Sequence, residues 1–281
     1  MIVADPALAP TWIDAVVLGL VEGLTEFLPI SSTGHLIVAQ RILGYGGGEA
    51  NNAFAVGIQF GAITAILILY WGRLISAARN VARPASGQPN LLWVLAIAAL
   101  PAVIAGLLFE DWIDAHLFSA HVVAVMLVVG GVLLLLLERH LKTRTASVSA
   151  VEDISYRTAL LIGLWQCLAL IPGTSRSGAT IAGALLLGTS RTAAAEFSFL
   201  LGLPILFGAS IYKLLSSPES LSAEMMTPLL IGTGVAFLAA LLVVRPFLAF
   251  LRRHDFRVFA YYRIAAGVAL FALLALDSIS A

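Results

Sequence analysis

Six apolar runs of about twenty residues, at roughly 53–72, 91–108, 121–138, 192–212, 228–246 and 259–276, constrain this chain more than any other feature. Each matches the helix length that crosses the hydrocarbon of a bilayer. A helix also satisfies its own backbone hydrogen bonds there, which an open strand or loop cannot. Hydrophobic residues make up 60% of the 281 and charged residues only 11%, a balance that belongs to a polytopic membrane protein rather than a soluble domain. A formal net charge of zero removes the electrostatic case for a nucleic-acid partner. The single Cys167 excludes an intramolecular disulfide and a multi-cysteine metal site. Residues 1–11 lack the basic segment of a cleavable signal, so the first apolar stretch is expected to stay in the mature protein.

Two further apolar stretches are punctuated. Gly19 to Gln40 reads GLVEGLTEFLPISSTGHLIVAQ, with Glu22 and Glu26 inside it and a break at Pro29. The 158–187 run is interrupted at Pro172 by PGTSRSGAT. Proline has no N–H and cannot continue a regular helix, while the small hydroxyl residues after it suit a turn or a new helix N-terminus. Both stretches therefore read as re-entrant helical hairpins, because irregular backbone at membrane depth survives only inside protein or beside water.

The two stretches are also copies of one another. VVLGLVEGLTEFLPISSTGHLIVA (16–39) aligns with LLIGLWQCLALIPGTSRSGATIAG (160–183), pairing Gly19 with Gly163, Glu22 with Gln166 and Pro29 with Pro172. Three spans separate them, an odd number, so the second copy is expected upside down relative to the first. Inverted repeats of this kind bring their broken helices together near the midplane. The expected fold is an all-α polytopic membrane protein with an inverted-topology repeat, six full transmembrane helices and two re-entrant hairpins. It forms one integral membrane domain over 1–281, with repeat 1 at about 12–138 and repeat 2 at about 158–277.

Charge gives the orientation. The 73–90 loop carries Arg73, Arg79 and Arg83, and the 139–157 loop carries Arg139, Lys142, Arg144 and Arg157. The 245–263 stretch, read as a third basic loop, holds five arginines. The intervening loops hold Glu110, Asp111 and Asp114, or Glu219 and Glu224 against Lys213. The positive-inside rule then puts the basic loops in the cytoplasm and both termini outside.

The residue types within the two breaks point to phosphate. Carboxylates at Glu22 and Glu26 share one helix face and cost roughly 2.5–3.5 kcal/mol each at a helix centre in lipid, which marks them as functional candidates. In the second break, Arg176 offers a planar fork that matches phosphate oxygens bidentately. Its Gly/Ser turn opens a helix, where backbone N–H groups and the dipole favour an anion.

VEGLTEFLPISSTGH and IPGTSRSGAT together resemble the undecaprenyl-diphosphatase family of the BacA/UppP type, the bacitracin-resistance proteins, over nearly the whole chain. The resemblance implies hydrolysis of undecaprenyl diphosphate to undecaprenyl phosphate and inorganic phosphate, recycling the lipid carrier of peptidoglycan synthesis. It further implies a multi-pass protein of the bacterial inner membrane, a site opening to the periplasmic side, and bacitracin resistance through removal of the antibiotic's target. Its acidic motif falls on Glu22 and Glu26 and its Ser-Ser-Thr-Gly-His on Ser31, Ser32, Thr33, Gly34 and His35. Its second motif falls on Pro172, Gly173, Ser175, Arg176, Ser177 and Thr180.

Within that frame Ser32 or His35 is the nucleophile, with His35 otherwise the general acid or base. Glu22 and Glu26 either shuttle protons or hold a divalent cation, Mg²⁺ or Ca²⁺, shared with the diphosphate. Arg176 stabilises the phosphoryl group, and Ser31, Thr33, Gly173, Thr174, Ser175, Ser177 and Thr180 bind phosphate. The partners expected are a polyprenyl diphosphate lipid, the membrane and a second copy in a homodimer. The inverted repeat also suits a lipid-phosphate flippase or a proton-coupled transporter. The acid-phosphatase type of membrane lipid phosphatase does not fit, because residues 177–190 lack the second His and its following Asp.

Overall fold

A computed structural model describes residues 10–44, 49–81, 89–216 and 222–279. Among them the chain is helical: α1 Trp12–Thr25, α2 Ser32–Ile42, α3 Glu49–Leu69, α4 Trp71–Arg79, α5 Leu91–His116, α6 Ala120–Leu141, α7 Tyr156–Gln166, α8 Arg176–Leu186, α9 Arg191–Ser216, α10 Ala223–Leu251 and α11 Arg257–Ile279. Six of these, α3, α5, α6, α9, α10 and α11, are long and apolar enough to cross a membrane, which makes this a multi-pass membrane protein. The six are the six apolar runs. The two punctuated stretches become shorter helix pairs, α1–α2 around Pro29 and α7–α8 around Pro172, the second with a 3₁₀ turn at Cys167–Leu170.

Several boundaries differ from the sequence reading. Helix α5 continues through Glu110, Asp111 and Asp114 to His116, leaving only residues 117–119 before α6. The supposed 245–263 loop shrinks to the residues between α10 and α11, and Arg245 and Arg263 are helical. In that short connection Asp255 accepts from the Arg257 N–H at 3.1 Å and from its Nε at 2.7 Å. Burial works against the Asp255 anion, but these bonds outweigh it and hold the carboxyl below its ordinary range. Arg83 and Glu219, which entered the charge alternation, lie outside the described residues.

The packing divides into two compact units, each discontinuous in sequence. The first comprises the chain up to Phe27, His35–Leu69 and Gly202–Pro246. Helix α1 starts on a capping box, in which Thr11 and Asp14 bond each other's backbone N–H. Its Gly19 and Gly23 face α10 so closely that an added Cβ would lie 2.5 Å from the Gly232 carbonyl oxygen and 2.3 Å from that of Ala236. Small residues four apart on both helices let the backbones touch, and dispersion then replaces a hydrophobic drive that lipid cannot supply. Ala15, Leu18, Leu36, Phe54, Ile58, Met225 and Leu229 form a buried hydrophobic cluster in this unit.

Gly61 on α3 is the tightest approach in this unit, with a Cβ falling 1.9 Å from the Thr233 carbonyl oxygen. Gly61→Ala is expected to destabilise by about 3 kcal/mol, since a helix backbone cannot yield as a side chain would. Thermal unfolding in detergent checks this against Gly208→Ala, where no atom lies within 4 Å and the midpoint should hold or rise.

The second unit comprises Leu28–Gly34, Tyr70–Leu201 and the chain from Phe247. Helix α7 lies against α5 through Gly163, whose Cβ would meet the Ala98 carbonyl oxygen at 2.3 Å. Helix α6 lies against α11 through Gly131 and Gly267, with corresponding approaches of 2.7 Å to Ala260 and 2.9 Å to Ala124. Several of its charged groups are paired. Glu138 at the end of α6 holds Arg191 in a bidentate bridge and accepts from the Phe256 N–H at 3.0 Å. Glu196 accepts from Arg73 at 3.0 Å, and Arg73 also reaches Glu152 at 3.3 Å.

Candidate active site

The breaks in the two copies share one backbone device. Ser31 and Ser175 are the non-glycine residues at positive φ among those described, 70° and 75°, and each immediately precedes a helix, α2 or α8. Each serine caps its helix with its own hydroxyl: the Gly34 N–H donates to Ser31 Oγ at 3.4 Å and the Gly178 N–H to Ser175 Oγ at 3.1 Å. A left-handed serine costs about 1–3 kcal/mol and persists where its surroundings dictate it. This corrects the alignment: Ser31 matches Ser175 only without a gap, so Pro29 stands opposite Gly173 rather than Pro172. In the corrected register Ser32 and Arg176 are equivalent, each the first residue of its helix. An α-helix provides no internal acceptor for its first-turn N–H groups, and its dipole is positive there. Both residues thus stand where an anion is favoured.

Within the second unit the structure brings the two breaks into contact. The Ser177 hydroxyl donates to the Leu28 carbonyl at 2.8 Å and lies 3.0 Å from Ser175 Oγ. Gly173, at φ 91°, lets its loop lie on α6, where a Cβ would be 2.7 Å from the Val123 carbonyl oxygen. Thr174 is half-buried, and Thr33 likewise.

Arg176 is held by α9. Its Nη1 donates to the Ser198 carbonyl and, at 3.3 Å, to the Ser198 hydroxyl. The Thr180 hydroxyl sits 2.7 Å from Ser198 Oγ and 2.8 Å from the Arg176 carbonyl oxygen. Ser177 and Thr180, expected as phosphate donors, are fully buried with their hydroxyls spent on these internal bonds. Ser198 was missed from sequence; a lone hydroxyl between Phe197 and Phe199 was the signal available.

Arg263 on α11 was missed too, having been counted as a loop residue. It is 1% exposed, and its five N–H groups meet five backbone carbonyls: Pro29 at 3.2 Å, Thr174 at 2.9 Å, Gly173 at 3.0 Å, Met126 at 2.9 Å and Leu127 at 3.4 Å. Gly130 makes the last two reachable, since a Cβ there would stand 2.1 Å from Nη2 of Arg263.

The carboxylates and the histidine belong to the first unit. Glu22 and Glu26 are 0% and 6% exposed on successive turns, the Glu26 N–H donating to the Glu22 carbonyl at 2.9 Å. His35 is half-buried one turn after Ser32 on α2, so the two share a helix face. Among the described residues no three His, Cys, Asp or Glu side chains gather closely enough to hold a metal ion by themselves. Two adjacent carboxylates do fit a hard cation that takes its remaining oxygens from phosphate and water.

Comparison with known proteins identifies the family. The family model of the bacitracin resistance protein BacA matches residues 15–269. An undecaprenyl-diphosphatase of Enterococcus faecalis is 46% identical over 256 residues, 89% of this chain and 92% of that protein. One of Psychrobacter cryohalolentis is 48% identical over 261 residues, covering 91% and 92%. A third, of Parvibaculum lavamentivorans, is 45% identical over 270 residues, covering 96% and 99%. The family match spans both breaks and the first five long helices and reaches into α11, and the chain belongs to the bacitracin resistance protein BacA family.

Proposed function

We propose that this protein is an undecaprenyl-diphosphate phosphatase of the bacterial inner membrane, releasing inorganic phosphate and leaving undecaprenyl phosphate. The carrying observation is the joining of the two breaks: Ser177 bonds the Leu28 carbonyl, so a serine-headed helix start and an arginine-headed one belong to one structure. That pair supplies what phosphoryl transfer asks of a protein, a positioned nucleophile and donors for the charge on the equatorial oxygens.

In this reading Arg176 and the N-terminus of α8 hold the terminal phosphate, with Gly173, Thr174 and Ser175 shaping the loop. Ser31 and Thr33 do the same at α2. Ser177 and Thr180 brace the loops rather than touch the ligand. Ser32 Oγ attacks the terminal phosphorus, and His35, one turn away, takes its proton. The bond to the bridging oxygen breaks, the electron pair leaving with undecaprenyl phosphate. Water then cleaves the phosphoserine to phosphate and serine, with His35 serving the proton transfers. Glu22 and Glu26 would hold a divalent cation, Mg²⁺ or Ca²⁺, which when bound neutralises diphosphate charge. The two helix pairs are re-entrant hairpins of an inverted repeat, both termini lie outside, and the site opens to the periplasmic side.

Purified protein in detergent should release phosphate from undecaprenyl diphosphate, with activity lost to a chelator and restored by Mg²⁺ or Ca²⁺. No release with either cation would overturn the assignment. Movement of lipid phosphate across liposomes without release would indicate a flippase in its place.

A further inference from the structure

We infer that Arg263 is a positioning residue for this reaction, setting the register of the two breaks against each other while lending its positive charge to the phosphate loop. The inference rests on the proposed phosphatase reading. A guanidinium buried to 1% exposure would ordinarily be paired with a carboxylate, as Arg191 is with Glu138. Arg263 instead spends all five N–H groups on backbone carbonyls. Those carbonyls come from three separate stretches: Pro29 in the first break, Gly173 and Thr174 in the second, Met126 and Leu127 on α6.

Two consequences follow from that geometry. The first is mechanical. Nη1 bridges Pro29 at 3.2 Å and Thr174 at 2.9 Å, so one nitrogen fixes the spacing between the loop that leads into Ser32 and the loop that leads into Arg176. Rigid planarity matters here, because a 1 Å misplacement of reacting groups costs about a hundredfold in rate. The second is electrostatic. The carbonyls neutralise only part of a full charge, and among the described residues no carboxylate bonds this guanidinium, so a net positive field stands behind the loop at 173–175 where a diphosphate would lose water.

The surrounding sequence is built for this one side chain. A Cβ at Gly130 would occupy the space of Nη2, and one at Gly178 would come within 3.1 Å of Nη1. The small residues thus clear a channel from α11 to both breaks.

The two consequences separate in Arg263→Lys, which keeps the charge but loses the planar fork and two of the five donors. Purified Arg263→Lys and Arg263→Gln are compared with wild type for thermal midpoint, kcat and KM on undecaprenyl diphosphate, and inhibition by inorganic pyrophosphate. Arg263→Lys is expected to lower kcat about a hundredfold and leave KM and pyrophosphate inhibition within about threefold. Arg263→Gln should lower kcat similarly and weaken both by about tenfold more, as loss of a buried charge predicts. If either variant does not fold, Gly130→Ala, which displaces the guanidinium without removing its charge, should reproduce the lysine pattern. Wild-type kcat in a folded Arg263→Lys or Gly130→Ala overturns the positioning role. Activity that falls only in proportion to folded protein overturns it as well. An inactive wild type would instead defeat the phosphatase reading itself.

Discussion

Arg176→Lys is expected to lower kcat for phosphate release by about a thousandfold, the scale seen when a transition-state donor to developing negative charge is lost. Nη1 of Arg176 is committed to the Ser198 carbonyl and lies 3.3 Å from the Ser198 hydroxyl, so α9 fixes the direction of the fork. In the proposed reaction a fork so fixed would present a planar edge to two phosphate oxygens at once. A lysine ammonium at the same helix start keeps the charge yet offers a single flexible point. Ser198→Ala tests the same geometry from the other side. It removes the hydroxyl shared with Thr180 while leaving the carbonyl bond, so a milder loss of about tenfold is expected. If Arg176→Lys retains more than a tenth of wild-type kcat in folded protein, bidentate recognition is not how the phosphoryl charge is met.

Ser32→Ala carries the second large effect, a loss of about a thousandfold or more in kcat with little change in KM, because a nucleophile, the role proposed for Ser32, acts in the transition state and adds little to ground-state binding. The placement of Ser32 supports this. It opens α2 directly after Ser31, whose positive φ and hydroxyl cap end the break. His35 follows on the same face. His35→Ala should lower kcat by about a hundredfold, the worth of a general base. Rapid quenching of His35→Ala with substrate labelled in the terminal phosphate should trap label on serine. Label on the histidine of Ser32→Ala, together with substantial remaining turnover, would make His35 the nucleophile instead.

The gapless register explains why the two copies are not interchangeable. Ser32 and Arg176 occupy the same place at the start of equivalent helices, as Glu22 does with Gln166 and His35 with Ala179. One backbone device, a left-handed serine capping a helix, thus occurs twice while the side chains around it differ, carboxylates and a histidine in one copy and an arginine in the other. Gln166, opposite Glu22, is buried at 2% exposure with its amide without a hydrogen-bond partner among the described residues.

What the sequence alone determined was the six spans, the two breaks and the chemical types gathered in them. Hydrocarbon imposes a length near twenty apolar residues, and a proline set beside Gly, Ser and Thr marks a break, whereas Pro101 and Pro204 among apolar residues lie inside α5 and α9. Element ends were less legible. Helix α5 runs on through three acidic residues because the hydrogen bonding of a helix outlasts its apolar stretch. What only the tertiary structure decided was the partner of each buried polar group. Arg263 looked like one more basic loop residue, yet it lies inside α11 and bonds Pro29, far away in the chain. Glu196 finds Arg73, and Arg191 finds Glu138. Ser177 and Thr180, taken for ligands of phosphate, bond within the fold. In lipid every such group must find a partner, but which one depends on the faces that close-packed helices turn to each other. Glycines such as Gly130 record that packing, and their meaning is visible only once the neighbour that fills their missing side chain is known.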